Sequence, residues 1–259
     1  MSEPYEIEAI HPESDLPDSF VRCAADEDAI ESLAADLFLQ AQNCVRAFGD
    51  FHLTLDGGWA SQRLCQVLLL DPQFRLLPWK RTHLWVAADR APDAPVSASM
   101  RELLVAHADL PPEQCHPVVF EHAAGSADPA ATRYASRLRE HLGWREKGHD
   151  RLDFVLLQIG GGGAWNAVTT SNASQPTGLI GTREVIEHGN STDADELPAG
   201  VSMEPRLVSS SRYLAVVALG QAASEPVGLQ AAGGDPFGLA MPDGTMRWFV
   251  DDGSAGGLG

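Results

Sequence analysis

Phe51-His52-Leu53-Thr54-Leu55-Asp56-Gly57-Gly58-Trp59-Ala60-Ser61 is the stretch on which the fold turns. Phe51 to Leu55 reads as a short strand, and Gly57 and Gly58 stop it. Asp56 is the kind of residue that steadies such a turn through its own side chain. Ala60 to Leu70 then reads as a helix, closed by Asp71-Pro72. Upstream, Ile30, Leu33, Ala34, Leu37, Ala41, Cys44 and Val45 recur at helical spacing after Asp26, which can serve as a cap. That helix ends near Gly49. The order is therefore helix, strand, glycine turn, helix.

The same alternation continues along the chain. Thr82 to Ala87 is a predicted strand, followed by a Pro-rich loop and a helix to about Ala106 that Ser97 or Ser99 can cap. Pro117 to Phe120 is strand-like. Asp128, with Pro129 at the first helical position, opens another helix. Phe154 to Ile159 is an apolar run bounded by glycines, as in a strand buried on both faces. Leu214 to Leu219 is a second such run, and Arg247 to Val250 is a last strand. Strands alternating with helices imply an α/β fold: a mostly parallel open sheet flanked by helices on both faces. Residues 1–18 are expected to be a flexible arm, 19–252 a single domain and 253–259 a disordered, Gly-rich tail. Residues 161–212 lack clear periodicity and read as loops and short elements at the sheet edge.

The chain has 259 residues and a formal net charge of -18. So acidic a chain is a poor partner for nucleic acid, which needs clustered Lys and Arg, or for an anionic membrane surface. No stretch approaches the length of a membrane span. The opening MSEPYEIEAI lacks a basic region followed by an apolar run, so no secretory leader is expected there. The four scattered cysteines read as buried thiols of a reducing, cytoplasmic setting. His52, His83, His107, His116, His122, His141, His149 and His188 show no ligand spacing, so they are expected on surfaces and loops, with no metal and no cofactor.

In an open α/β sheet, ligands sit beyond the carboxyl ends of the strands, where Gly-rich turns let backbone N–H groups approach an anion. Two such turns follow predicted strands, at Asp56-Gly57-Gly58 and at Gly160 to Gly163. Neither continues into a P-loop, and the second lacks the rest of a dinucleotide fingerprint. Ser61 is not in a Gly-x-Ser-x-Gly elbow, which leaves Ser-His-Asp hydrolysis without support.

Taken in order, these landmarks resemble the 6-phosphogluconolactonase family, relatives of the glucosamine-6-phosphate deaminases. The strand and turn at 51–61 stand where the family has Leu-Ser-Gly-Gly-Ser-Thr-Pro. Trp79 and the following strand lead to Ala88-Asp89-Arg90 in place of Asp-Glu-Arg. Ser97-Ala98 replaces Ser-Asn, and Leu152 to Gly160 is similar to the strand ending in Leu-Gly-Met-Gly. Ser211-Arg212-Tyr213 with Gly220, and Trp248 with Asp251, complete the series. The resemblance implies a sugar-phosphate lactone hydrolase in which an Asp-Gly-His motif supplies a His general base. Here Gly162 stands for that Asp and Ala164 for that His, and alanine accepts no proton. The family's late phosphate-binding Arg falls near Gly200, where Arg206 is a possible substitute, and its late Lys falls at Ala223.

The resemblance thus implies a lactonase-like protein of pentose phosphate metabolism that is catalytically degenerate and acts by binding or regulation. A protein partner in that pathway, such as glucose-6-phosphate dehydrogenase, fits the family context, with sugar phosphate bound weakly or not at all. The surviving candidates are Asp89 and Arg90 as site residues. Asp56, Gly57, Gly58, Gly160, Gly161, Gly163 and Arg206 are the candidate ligand contacts. Asp89 with Arg90 also reads as a loop-closing ion pair, and Trp59 and Trp165 as space-filling at the mouth of the inherited site. Two alternatives stay open: an unorthodox hydrolase using Asp56, Asp89 or a nearby His, and a nucleotide site at 160–163.

Overall fold

The computed structural model describes residues 19–120, 128–159, 180–184, 199–236 and 244–256. Six parallel strands form the main sheet: β1 (Phe20–Arg22), β2 (Phe51–Leu55), β3 (Thr82–Val86), β5 (Phe154–Ile159), β8 (Tyr213–Ala218) and β9 (Thr245–Val250). Their order is β1-β9-β8-β5-β2-β3. A second, antiparallel sheet has the order β4-β7-β6, from β4 (Ala88–Arg90), β6 (Ile180–Glu184) and β7 (Ala199–Met203). The Met203 N–H donates to Ala87 O at 2.8 Å and ties the small sheet to the carboxyl end of β3.

Seven α-helices accompany the strands among the described residues: α1 (Asp26–Phe48), α2 (Trp59–Leu70), α3 (Pro95–Met100), α4 (Asp128–Leu142), α5 (Pro205–Ser209), α6 (Ser224–Ala231) and α7 (Asp252–Ala255). They cover both faces of the main sheet. Leu53, Phe154 and Tyr213 are register partners, so their side chains share one face. On that face the Tyr213 hydroxyl donates to Asp36 of α1. His52, Thr54, His83 and Trp85 point the other way. There α4 lies over Trp85, and the Tyr134 hydroxyl bonds both the N–H and the carbonyl of Val86 at 2.9 Å. Strands β2, β5 and β8 are buried along their whole length, as expected of a sheet covered on both sides.

Several expectations are corrected. The α1 cap is Ala25, whose N–H donates to Asp28, and Asp26 is the first helical residue. Neither Ser97 nor Ser99 caps α3. Asp89 does so from β4, accepting the Val96 N–H at 3.1 Å and the Ser97 N–H at 2.7 Å. Residues 117–120 form no strand; the neighbouring segment makes a single bridge, Leu84 with Cys115. The tail is ordered at its start, because Asp251 caps α7 through the Ser254 N–H and Ser254 is buried. The histidines are not all surface residues. His52 and His116 are buried, and they gather with His83 and His141 on the α4 side of β2 and β3. The four cysteines are buried and free, as expected.

Candidate functional site

The first glycine turn carries the chain from β2 into α2 at the carboxyl edge of the main sheet. Gly57 adopts φ +76°, a left-handed conformation that favours glycine, and a Cβ there would lie 2.3 Å from Val96 Cγ1. The turn is therefore packed directly against α3. Gly58 caps α2 with extended backbone.

Asp56 lies beneath this turn, with none of its surface exposed. Its Oδ1 accepts the Gly58 N–H at 3.0 Å and the Ser61 hydroxyl at 2.7 Å. Its Oδ2 accepts the Gln158 N–H from β5 at 2.6 Å. The Gln158 side chain returns to α2, its Oε1 accepting the Ala60 N–H at 2.8 Å. Burial pushes the Asp56 carboxyl up from its ordinary value, opposed by the hydrogen bonds from Ser61, Gly58 and Gln158. The Asx reading of Asp56 holds, and the residue also joins two strands and a helix.

Asp89 is equally enclosed. It accepts the backbone N–H groups of Arg90, Val96 and Ser97, and burial raises its pKa as well. Through the last two it caps α3. The Ser97 hydroxyl accepts the Val118 N–H at 3.0 Å, extending the support outward. Arg90 is exposed at the end of β4. On the backbone it stands opposite Gly200 of β7, and Gly200 stands opposite Arg183 of β6.

Trp59 opens α2 and is 40% exposed. Arg206 is exposed on α5. That helix leads from the junction of Met203 with Ala87 toward Arg212, whose N–H meets Leu152 just before β5. Ala223 is buried and offers no cation. Gly160, Gly161, Gly162, Gly163, Ala164, Trp165 and Asn166 lie outside the described residues.

Residues 24–236 match the family model described as glucosamine-6-phosphate isomerases/6-phosphogluconolactonase. Among curated proteins, the chain is 27% identical over 240 residues to the GDH/6PGL endoplasmic bifunctional protein of Homo sapiens, and 26% identical over 241 residues to that of Oryctolagus cuniculus. The match covers 87% of this chain but only 28% of either relative. Among solved structures, the 6-phosphogluconolactonase from Trypanosoma cruzi superposes with a TM-score of 0.72 at 16% identity, covering 96% of this chain and 99% of that one. The 6-phosphogluconolactonase from Trypanosoma brucei gives 0.69 at 16% identity, covering 94% and 100%. A monomeric glucosamine-6-phosphate deaminase gives 0.66 at 18% identity, covering 92% and 99%. These structures share the fold, and no helix among the described residues is long and apolar enough to cross a membrane. With 24–236 matched and the sheet order and turns in place, the chain belongs to the glucosamine-6-phosphate isomerase/6-phosphogluconolactonase family.

Proposed function

We propose that this member of the family has lost lactone hydrolysis and acts by binding or regulation in sugar-phosphate metabolism. The observation that carries this reading is the closure of the first glycine turn upon itself. A phosphate at the start of α2 needs backbone N–H and hydroxyl donors. The Gly58 N–H and the Ser61 hydroxyl are given to Asp56, and the Ala60 N–H is given to Gln158. A buried carboxylate at that position also opposes a second anion.

The sequence supports the same reading where the family places its chemistry. Ala164 stands for the general base and Gly162 for its acidic neighbour. The buried carboxyls do not replace them. A raised pKa suits a general base only if the group can reach water, and Asp56 and Asp89 both point into backbone donors. The pairing of GDH and 6PGL in the name of the human relative supports a dehydrogenase of the same pathway as protein partner. A cytoplasmic setting is proposed from the four free thiols alone.

The test is hydrolysis of fresh 6-phosphogluconolactone by the purified chain, corrected for spontaneous opening, beside the Gly162→Asp/Ala164→His double variant. The wild-type rate is expected to equal the spontaneous rate. Acceleration of about a hundredfold or more, the scale of general-base catalysis, overturns the proposal.

A further inference from the structure

His83, His116 and His141 converge from three separate elements. Each offers one ring nitrogen, and the three atoms lie within 4.8 Å of one another. We propose that these three imidazoles form a binding site for a borderline divalent cation of the zinc type, remote from the glycine turns.

Each ring is held by an independent contact. His83 is the second residue of β3 and stacks on its register partner His52, ring centroids 4.8 Å apart. The His116 N–H donates to Leu84 O at 2.9 Å, which lays the 115–118 segment along β3. The His116 ring stacks on Trp85 at 3.9 Å. His141 follows Tyr134 on α4 by two turns, so it shares the face that Tyr134 pins against Val86.

The ligand chemistry fits. His83 Nδ1 and His116 Nε2 share one hydrogen bond at 3.0 Å, and a metal would take the place of its proton, which a neutral ring can carry on its other nitrogen. Tetrahedral zinc with Zn–N near 2.0–2.1 Å places two nitrogens about 3.3 Å apart, so this pair has nearly the spacing required, and the third nitrogen, within 4.8 Å of the others, must close by at most about 1.5 Å. Three nitrogen ligands suit Zn²⁺ or its neighbours and leave a fourth position for water. His83 and His141 are part-exposed, which leaves a path from solvent. Imidazole binds a metal through the lone pair of its neutral form, the form that prevails at neutral pH for an ordinary histidine. The strongly acidic chain favours cation approach.

A second group, Asp50, His52 and His83, is also close-set but is chemically closed. The Trp85 indole can only donate, and it does so to His52 Nδ1 at 3.0 Å. His52 Nε2 must then carry the proton that faces Asp50 at 3.2 Å, which leaves no lone pair for a metal. The open site is thus His83, His116 and His141. It lies about 10 Å from the carboxyl end of β3, at 3.3 Å per residue. A cation there would clip α4 and the 115–118 segment onto β3.

The experiment is titration of the purified full chain with Co²⁺, read by visible d–d absorption, and with Zn²⁺, read by Tm. One equivalent should bind saturably, with a rise in Tm of about 5 °C at saturation. His141→Gln, at a part-exposed helix position, should weaken binding at least about tenfold. His83→Gln is the second probe should the first fail to fold, and His107→Gln, at an exposed position elsewhere, should bind as wild type does. Absence of a saturable one-equivalent site in wild type, or undiminished binding in whichever ligand variant folds, overturns the proposal.

Discussion

Asp56 and Gln158 clamp each other's elements at the carboxyl edge of the sheet. The carboxylate takes the Gln158 N–H at 2.6 Å, while the Gln158 side chain takes the Ala60 N–H at 2.8 Å. The turn is thus fixed from below. Asp56→Asn should therefore act on stability. Its amide can keep the Gly58 and Ser61 contacts through its oxygen, but its NH₂ group then opposes the Gln158 N–H. One buried donor left unsatisfied costs about 1–3 kcal/mol. Urea unfolding should show a lower midpoint at an unchanged slope, and an unaltered midpoint would mean that the clamp contributes nothing.

Arg145 makes the corresponding tie at the amino edge of the sheet. Its side chain, 1% exposed, forms two parallel bonds of 2.8 Å to Asp153 and also pairs with Asp50. Arg145→Met removes the cation and leaves two enclosed carboxylates, although Asp153 keeps Arg212 at 3.0 Å. Breaking a buried pair from one side costs about 3–5 kcal/mol. Arg145→Lys should recover only part of this, because an ammonium cannot reproduce the planar fork. Equal stability of Arg145→Lys and wild type in urea would show that geometry is unimportant there.

What could be seen in the sequence follows the range of the interaction concerned. Phe154–Ile159 was legible because burial on both faces writes an almost continuous apolar run that stops at glycines, and Phe51–Leu55 because Gly57 and Gly58 end it. The Asx role of Asp56 was legible because its partner Gly58 is two residues away. The α3 cap was not, because Asp89 reaches Ser97 from a preceding strand, and Ser97 itself resembles a cap. The histidine cluster was hidden for a similar reason: β3, the 115–118 segment and α4 bring together residues whose spacing in the chain carries no ligand pattern. The Gly-rich 253–259 segment looked frayed because composition outweighed Asp251 and Ser254, two residues that bond each other reciprocally.

Asp251 gives the fold an acid-side dependence. Desolvation raises its pKa, but hydrogen bonds from Ser254 and Gly220 outweigh that and hold it below the usual carboxylate range. A depressed carboxyl contributes stability above its unfolded pKa of about 3.9, and that contribution is lost as pH falls through the lower folded value. Asp251→Asn should thus be less stable than wild type at pH 7, with the gap narrowing below about pH 4. A gap constant from pH 7 to pH 3 in thermal melts would assign the loss to something other than charge.

The thiols should be silent in the native protein. Burial pushes Cys23 to about 11 and Cys44 and Cys65 to about 12, and it raises Cys115 as well. Thiolate is the reactive form, so a disulfide reagent at pH 8 should label almost none of them within minutes. All four should react in denaturant. Fast labelling of any one in the native state would show that its surroundings open readily.

Gly57→Ala separates two penalties at the site. The left-handed backbone at φ +76° costs an L-residue about 1–2 kcal/mol, and contact with Val96 adds about 1–3 kcal/mol of overpacking. Val96→Ala removes the methyl groups that the new Cβ would strike. The Gly57→Ala/Val96→Ala double variant should therefore be more stable than the sum of the single losses allows, by about 1 kcal/mol or more. The backbone strain should remain in both. Strict additivity in urea unfolding would mean that α3 moves aside without cost, and that the close packing of the turn on α3 is not what holds it closed.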